Sequence, residues 1–158
     1  MSLADARAHL AQFGLAERIQ LFDVSSATVE LAAQAVGCAP AHIAKTLSFL
    51  LPDGPILILA AGDAKIDNGS FKARFHTRAK MIPQEQVEEL IGHGVGGVCP
   101  FGIRAGVRVY LDESLRRFDT VYPAAGTSHS AVSLTLQELE RSSGSQGWVH
   151  VCKGWNIP

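Results

Sequence analysis

Apolar residues recur along the chain with two spacings, and the helical spacing marks four segments. Residues 4–13 keep helical spacing and end at Gly14, and residues 29–36 follow the favourable N-cap Thr28 and end at Gly37. Residues 83–91 begin with a proline, which suits the first helical position, and end at a glycine. Thr135 and Glu138 form a capping-box pattern that predicts a helix reaching residue 141.

Strand-length apolar runs outnumber the helices. Residues 44–51 and 55–61 are two such runs, and the Pro52-Asp53-Gly54 turn between them predicts a hairpin. Shorter runs occupy residues 19–21, 107–111, 120–122, 131–134 and 148–152. Hairpin-like and mixed strand order predicts an α+β fold, a single domain over residues 1–158 with flanking helices around a mixed, strongly curved, barrel-like β-sheet.

Composition is consistent with one globular domain. The chain has 158 residues, of which 47% are hydrophobic and 18% charged. No apolar run approaches the roughly 18 residues of a membrane span, and the N-terminus lacks a basic segment followed by an apolar one, so we expect a cytoplasmic protein without membrane partners. Three cysteines without a Cys-x-x-Cys pair predict neither disulfides nor a zinc site, and we expect no metal and no cofactor.

Charge is nearly balanced overall but locally positive. A net charge of −1 and a pI near 6.6 argue against non-specific binding of DNA or another long nucleic acid. Between residues 65 and 80 the acid Asp67 stands among five cations, namely Lys65, Lys72, Arg74, Arg78 and Lys80. This segment is either a phosphate-binding surface or a solvated helix face whose aromatic residues point into the core.

A lysine stands inside the first strand of the predicted hairpin. Burying Lys45 without a partner costs several kcal/mol, so its side chain should reach a cleft or an anion. The alternative is a lysine at the strand edge that extends into water or pairs with an acid. Asp63 follows the second strand, where it either orients a lysine or caps the next helix, and capping is favoured.

Two glycine-containing segments carry further candidate chemistry. Residues 94–102 are rich in glycine, and their backbone N–H groups suit a phosphate or a developing oxyanion. They also contain Cys99, a candidate nucleophile or a packing residue. Residues 125–130 combine a glycine, hydroxyls and an imidazole, which suits a small polar pocket. Covalent catalysis is a minority interpretation because no Gly-x-Ser-x-Gly motif occurs.

Four short motifs, in order along residues 25–139, resemble the YbaK/ProX (YbaK/EbsC) family, which includes the editing domain of many bacterial prolyl-tRNA synthetases. The motifs are Thr28-Val29-Glu30, Ala44-Lys45-Thr46-Leu47, Gly96-x-x-x-Pro100 and Gly126-Thr127-Ser128-His129. The resemblance implies an editing-domain fold and hydrolysis of the ester bond of a mischarged aminoacyl-tRNA, such as tRNA-Pro, by water without a metal. It also implies binding of the aminoacyl-tRNA acceptor end and an aminoacyl-tRNA synthetase as a further partner, for a monomer or weak dimer.

The same resemblance implies roles for individual residues. Lys45 and the backbone of Gly97 are the expected catalytic groups. The five basic residues from Lys65 to Lys80 are the expected tRNA contacts. Substrate binding is expected from the remaining motif positions, namely Thr46, Gly96, Cys99, Pro100, Gly126, Ser128 and His129.

Three other functions stay open at this level. The chain is alternatively a non-catalytic tRNA- or nucleotide-binding module of the same fold, a hydrolase that uses Cys99, or a structural protein whose glycine segment only turns the chain. Alanine, cysteine, serine and threonine all remain candidate edited amino acids. The C-terminal residues 155–158 have no assigned role.

Overall fold

The computed structural model describes residues 2–155, which form an α+β fold. Its α-helices are Ser2–Ala11 (α1), Val29–Val36 (α2), Asn68–Phe75 (α3), Gln84–Ile91 (α4) and Leu136–Ser143 (α5). Its strands are Ile19–Leu21 (β1), Ala44–Leu51 (β2), Gly54–Ala61 (β3), Lys65–Ile66 (β4), Arg108–Asp112 (β5), Thr120–Val121 (β6), Ser130–Val132 (β7), Leu134–Thr135 (β8), Trp148–Val149 (β9) and Cys152–Lys153 (β10). None of the helices in this part of the chain has the length and apolarity that a membrane span requires.

One mixed sheet forms the centre of the fold. Its strand order is β2-β3-β5-β9, with β2 and β3 antiparallel and the other two pairings parallel. The remaining strands form three antiparallel pairs, β1 with β7, β4 with β10 and β6 with β8. The mixed sheet confirms the sequence prediction. The barrel-like, strongly curved sheet is not supported, because the short strands pair separately and no sheet closes on itself within residues 2–155.

The core lies on both faces of β3. Residues 56–61 of this strand are all fully buried, as expected for a strand between two neighbours in a sheet that is covered on both sides. Phe71 of α3 is also fully buried, and its ring lies 4.9 Å from that of Phe49 in β2. The two phenylalanines of the basic segment, Phe71 and Phe75, therefore pack against the core, while its five cations remain at the surface.

Helix boundaries follow the local capping signals. In α2, Thr28 Oγ1 accepts the Leu31 N–H at 3.1 Å and Gly37 ends the helix with φ = 87°, so both predicted ends are confirmed. The capping box of Thr135 and Glu138 is also present. The first helix ends two residues earlier than predicted, at Ala11, because residues 12–14 form a turn.

Two predicted strands are split. The run 131–134 is divided between β7 and β8, and the run 148–152 between β9 and β10. In the second case the buried Asp112 carboxylate accepts the N–H of Val151 at 2.9 Å, which takes this residue out of either sheet. Of the unassigned C-terminal residues, Trp155 donates its indole N–H to the Cys152 carbonyl at 3.2 Å, and residues 156–158 lie outside the described residues.

A close backbone approach brings the Pro40–His42 turn onto the end of β3. A Cβ atom on Gly62 would overlap the Pro40 carbonyl oxygen and lie 2.7 Å from Val29 Cγ1. Contacts of this kind cannot be relieved by rotating a flexible side chain, because one of them is with backbone. The absence of a side chain at residue 62 therefore determines how closely α2 and the following turn lie against the sheet.

We expect Gly62→Ala to destabilise the fold by about 1–3 kcal/mol, because the added methyl group has no room. The matched control is Gly69→Ala in α3, where the nearest atom to an added Cβ is Asp67 Oδ2 at 3.7 Å. This control should lose no stability and gain at most about 1 kcal/mol from helix propensity. Urea unfolding of both variants measures the difference, and equal stabilities would contradict the steric argument.

Candidate functional site

A cleft of about 250 Å³ opens between the N-terminal end of α2, the outer edge of β2 and the glycine-containing loop 94–98. The lining residues from β2 and the position before it are Ile43, Ala44, Lys45, Thr46 and Ser48. The lining residues from α2 and the segment just before it are Ser26, Ala27, Thr28, Val29 and Ala32. The loop contributes Val95, Gly96 and Val98. The other walls are Met81, Ile82, Gln84, Val87, Tyr122, Ala124, Ser130 and Ala131.

The outer edge of β2 is covered at its two ends. At the first end, the Ala44 N–H donates to the Tyr122 carbonyl at 3.1 Å. At the other end, the Leu50 N–H donates to the Lys80 carbonyl at 2.9 Å, and the Ser48 carbonyl accepts from Ile82 at 3.1 Å. The cleft lies over the part of β2 between these two bridges.

Lys45 projects from β2 and lies half-buried at the cleft. Its Nζ donates to the carbonyl oxygens of Ala64 and, at 3.5 Å, of Gly62. Burial lowers the pKa of Lys45, while nearby groups, including the Asp63 and Glu30 carboxylates, oppose that shift. Two carbonyl dipoles thus hold an ammonium group that has lost part of its hydration.

Asp63 is held by an arginine rather than by Lys45. Its two carboxylate oxygens accept from Arg117 Nη1 at 2.9 Å and Nη2 at 2.6 Å. This bidentate pair lowers the pKa of Asp63 below its ordinary value. The favoured prediction that Asp63 caps the following helix is wrong, because Asp67 caps α3 by accepting the Ser70 N–H at 2.9 Å. Within residues 2–155, no carboxylate forms an ion pair with Lys45.

The glycine-containing loop packs against the loop at residues 126–129. The Gly97 N–H donates to the Gly94 carbonyl, and the Gly97 carbonyl accepts from the Gly126 N–H, both at 3.1 Å. A Cβ atom on Gly97 would lie 2.5 Å from the Thr127 nitrogen, so the two backbones require a glycine here. Of the predicted site residues, Lys45, Thr46 and Gly96 line the cleft. The residues described at the cleft surface do not include Gly97, Cys99, Pro100, Gly126, Ser128 or His129.

Cys99 lies in the core beside a histidine. Its Sγ is 3.5 Å from His93 Nε2, and both residues are fully buried. Burial raises the pKa of the Cys99 thiol to about 12 and lowers the pKa of His93. The His93 Nε2 also lies 2.6 Å from the Phe101 carbonyl oxygen. A neutral, inaccessible thiol suits the packing role that the sequence left open, since nucleophilic cysteines are exposed thiolates.

Hydrogen bonds between serines join two walls of the cleft, the segment before α2 and the segment 128–130. Ser26 Oγ donates to the Ser130 carbonyl at 3.2 Å and accepts the Ser130 N–H at 3.0 Å. Both residues line the cleft. Ser130 belongs to the segment 125–130 that was expected to line a polar pocket, whereas Ser26 was missed, because its partner is 104 positions away. Ser128 Oγ lies 3.1 Å from His129 Nδ1 at the surface, and the Ser128 carbonyl accepts the Ser26 N–H at 2.6 Å.

The cations of the basic segment lie at the surface, and the segment leads into the cleft wall. All five predicted tRNA contacts, from Lys65 to Lys80, are exposed. Lys72 and Arg78 line a surface groove, and the Arg74 guanidinium lies over the Phe75 ring, 4.9 Å from its centroid. The chain continues from Lys80 directly into Met81, which lines the cleft. No group of three or more histidine, cysteine or acidic residues is arranged for a metal ion in the described part of the chain.

Comparison with known proteins finds similar sequences and similar solved structures. An uncharacterized protein of Bacillus subtilis (strain 168), YwhH, is 48% identical over 156 residues, which are 98% of this chain and 99% of that protein. A proline–tRNA ligase of Lysinibacillus sphaericus is 28% identical over 90 residues, which are 56% of this chain and 16% of the ligase. A solved structure described as a candidate trans-editing enzyme for prolyl tRNA synthetase has a TM-score of 0.87 and 30% identity, covering 97% of this chain and 98% of the other.

The family model for the aminoacyl-tRNA editing domain matches residues 23–142. This match begins just before the start of α2 and ends in α5, so it contains every described wall of the cleft. The resemblance expected from the four short motifs is confirmed. The chain belongs to the aminoacyl-tRNA editing domain family.

Proposed function

We propose that this protein hydrolyses the ester bond between a small, wrongly attached amino acid and the terminal adenosine of a tRNA. The observation that carries the proposal is the 250 Å³ cleft bordered by Lys45, in a chain of the editing-domain family. Its relatives include a proline–tRNA ligase and a structure described as a candidate trans-editing enzyme for prolyl tRNA synthetase. A tRNA-Pro that carries the wrong amino acid is therefore the proposed substrate.

Lys45 serves this reaction as a cationic anchor. Its ammonium group has no carboxylate partner within residues 2–155, and the nearby Asp63 charge is already paired with Arg117. A phosphate or ester oxygen of the acceptor end can therefore interact with a charge that no acid neutralises. Partial burial strengthens this interaction because fewer water molecules screen it.

Water is the proposed nucleophile. The buried Cys99 has a pKa raised to about 12, and Ser128 and His129 lie outside the described lining of the cleft. The walls are largely alanine, valine and isoleucine side chains with a few hydroxyl groups, which suits a small amino-acid side chain. Such a second sieve is useful because a synthetase distinguishes side chains that differ by one methylene by only about 1–3 kcal/mol. Alanine, cysteine, serine and threonine are the proposed amino acids to test.

The exposed basic segment, residues 65–80, is the proposed contact for the acceptor stem. Lys72 and Arg78 line a groove, and the chain leads from Lys80 to the cleft wall at Met81. With a net charge of −1, the protein should bind tRNA weakly, so a synthetase would supply proximity. Aminoacyl-tRNA is made in the cytoplasm, so the proposal implies a cytoplasmic protein. We further propose that the protein acts as a monomer or weak dimer and that it does not bind DNA.

A binding module without catalysis is the second candidate. The observation in its favour is that the Gly97 N–H and the Lys45 Nζ already have backbone partners in this structure. A protein of this kind would hold an acceptor end without polarising the ester. Deacylation measurements distinguish the two functions directly.

We expect Lys45→Ala to lower kcat/KM for the hydrolysed aminoacyl-tRNA by about 10²-fold or more, because the cationic anchor is lost. The measurement is deacylation of labelled tRNA-Pro that carries alanine, cysteine, serine or threonine. The matched control is Lys153→Ala, which removes an exposed lysine paired with Asp67 at 3.7 Å. Equal losses in both variants would contradict a specific role for Lys45, and no hydrolysis by the wild-type protein would favour the binding module.

We expect iodoacetamide at pH 8 to leave Cys99 unmodified in the folded protein, because burial raises the pKa of its thiol to about 12. Cys152, whose pKa burial also raises to about 12, should be equally resistant, while the half-buried Cys38 should react faster. Peptide mass spectrometry before and after urea unfolding measures the labelling. Rapid native labelling of Cys99 with loss of deacylation would instead support a thiol mechanism.

We expect the double substitution of Lys72 and Arg78 by alanine to raise KM several-fold without changing kcat, because phosphate contacts position the tRNA rather than the ester. The dependence of log KM on log salt concentration should become shallower by about 1–2 units of slope. The matched control removes Arg104 and Arg108, two cations outside residues 65–80. A change in kcat with unchanged salt dependence would contradict the assignment of this groove to tRNA.

A further inference from the structure

The middle of the β2 edge leaves backbone hydrogen-bonding groups without partners. Residues 44, 46, 48 and 50 direct their N–H and C=O groups away from β3, because alternate residues of an antiparallel strand bond to opposite sides. Tyr122 covers this edge at Ala44, and residues 80–82 cover it at Ser48 and Leu50. Within residues 2–155, neither the N–H nor the C=O of Thr46 has a hydrogen-bond partner.

The side chain of Thr46 adds an independent observation. Its Oγ1 is buried and has no hydrogen-bond partner among the described residues. An unpaired buried polar group costs about 1–3 kcal/mol, and such groups are rare in native structures, where a functional role or an ordered water or ion accounts for many of them. All the polar groups of this cleft-lining residue are therefore unused.

An aminoacyl ester has the groups that this edge lacks. Its amino nitrogen and its ester carbonyl are attached to one α-carbon, as in a residue of a peptide. Two residues in a hydrogen-bonded antiparallel pair exchange both of their N–H···O=C bonds. An aminoacyl group can therefore occupy the position opposite Thr46 as a strand of one residue, in the manner of peptides that add to an open sheet edge.

We infer, building on the proposed function, that the open β2 edge at Thr46 positions the aminoacyl group for hydrolysis. The substrate's amino group donates to the Thr46 C=O, and its ester carbonyl oxygen accepts from the Thr46 N–H. Lys45, the neighbouring residue, then holds an oxygen of the nucleotide. The Gly97 N–H is engaged with Gly94 in this structure, so the donor to the ester carbonyl comes from β2 instead.

The reaction at this position is a balanced ester hydrolysis. Water adds to the ester carbonyl carbon, and the carbonyl electron pair moves onto the oxygen that the Thr46 N–H binds. The carbon–oxygen bond to the ribose then breaks, and the ribose oxygen takes the proton that the water loses. The products are the free amino acid and a tRNA with a free terminal hydroxyl group.

A backbone substitution tests this inference. Replacing Thr46 by its α-hydroxy acid counterpart turns the amide into an ester, which removes this N–H and keeps the side chain. The control is the same replacement at Leu50, four residues along the same edge, where the N–H donates to Lys80 at 2.9 Å. Both replacements also weaken the preceding carbonyl in the same way, so the comparison isolates the two N–H groups.

We expect the Thr46 ester to lower kcat by about 10²- to 10³-fold, the effect of losing one oxyanion donor, with a melting temperature above that of the Leu50 ester. The Leu50 ester should have a lower melting temperature than the wild type, because the N–H that it lacks donates to the Lys80 carbonyl. Its kcat should stay within a few-fold of the wild-type value. Thr46→Pro also lacks the N–H and suits an uncovered strand edge, so it should show the same loss of rate.

Three outcomes separate this inference from the proposed function. Equal kcat values for the two ester variants would overturn the inference while leaving the deacylase proposal standing. If the wild-type protein hydrolyses no substrate, the deacylase proposal fails, and the same variants are compared for binding of an amide-linked aminoacyl adenosine. Weaker binding by the Thr46 ester alone would support the positioning role, and equal affinities would overturn it.

Discussion

Backbone hydrogen bonding along one strand edge is the constraint on which the rest of the site depends. Eight residues of β2 form an edge strand, and its exposed N–H and C=O groups require partners. Tyr122 and residues 80–82 supply those partners only at the two ends. The gap between the two bridges is where α2 and the loop 94–98 leave room for a cleft. The cleft is therefore a consequence of incomplete sheet coverage.

The electrostatic environment of Lys45 depends on a second pairing. If Asp63 contacted Lys45, the two charges would neutralise each other and little attraction would remain for a phosphate. Arg117 prevents this by binding both carboxylate oxygens of Asp63, and it is itself largely buried, with a side chain that is 12% exposed. Lys45 is stabilised instead by the carbonyls of Gly62 and Ala64, whose dipoles hold the cation without cancelling its charge.

Sequence reasoning succeeded where the deciding interaction is local. The ends of α2, the turn between β2 and β3 and the capping box of α5 each depend on residues within four positions of one another. It failed where the partner is distant. The Asp112 carboxylate that splits the 148–152 run lies 39 positions from Val151, and the Arg117 that takes Asp63 lies 54 positions away. Lys45 could be predicted to reach the cleft, because a cation inside an apolar strand is unusual, and this can be recognised before any partner is known.

The glycine motifs show why residue type alone did not assign the chemistry. Glycines at 97 and 126 suggest exposed backbone donors, but here they allow two backbones to approach within hydrogen-bond distance. A donor that is already bonded to Gly94 can bind an oxyanion only if that bond breaks, which costs part of the gain. Donors fixed in a sheet but left unpaired need no such rearrangement, because the strand holds them in place before the substrate arrives. The edge of β2 is therefore better suited than the glycine loop to polarise an ester in this fold.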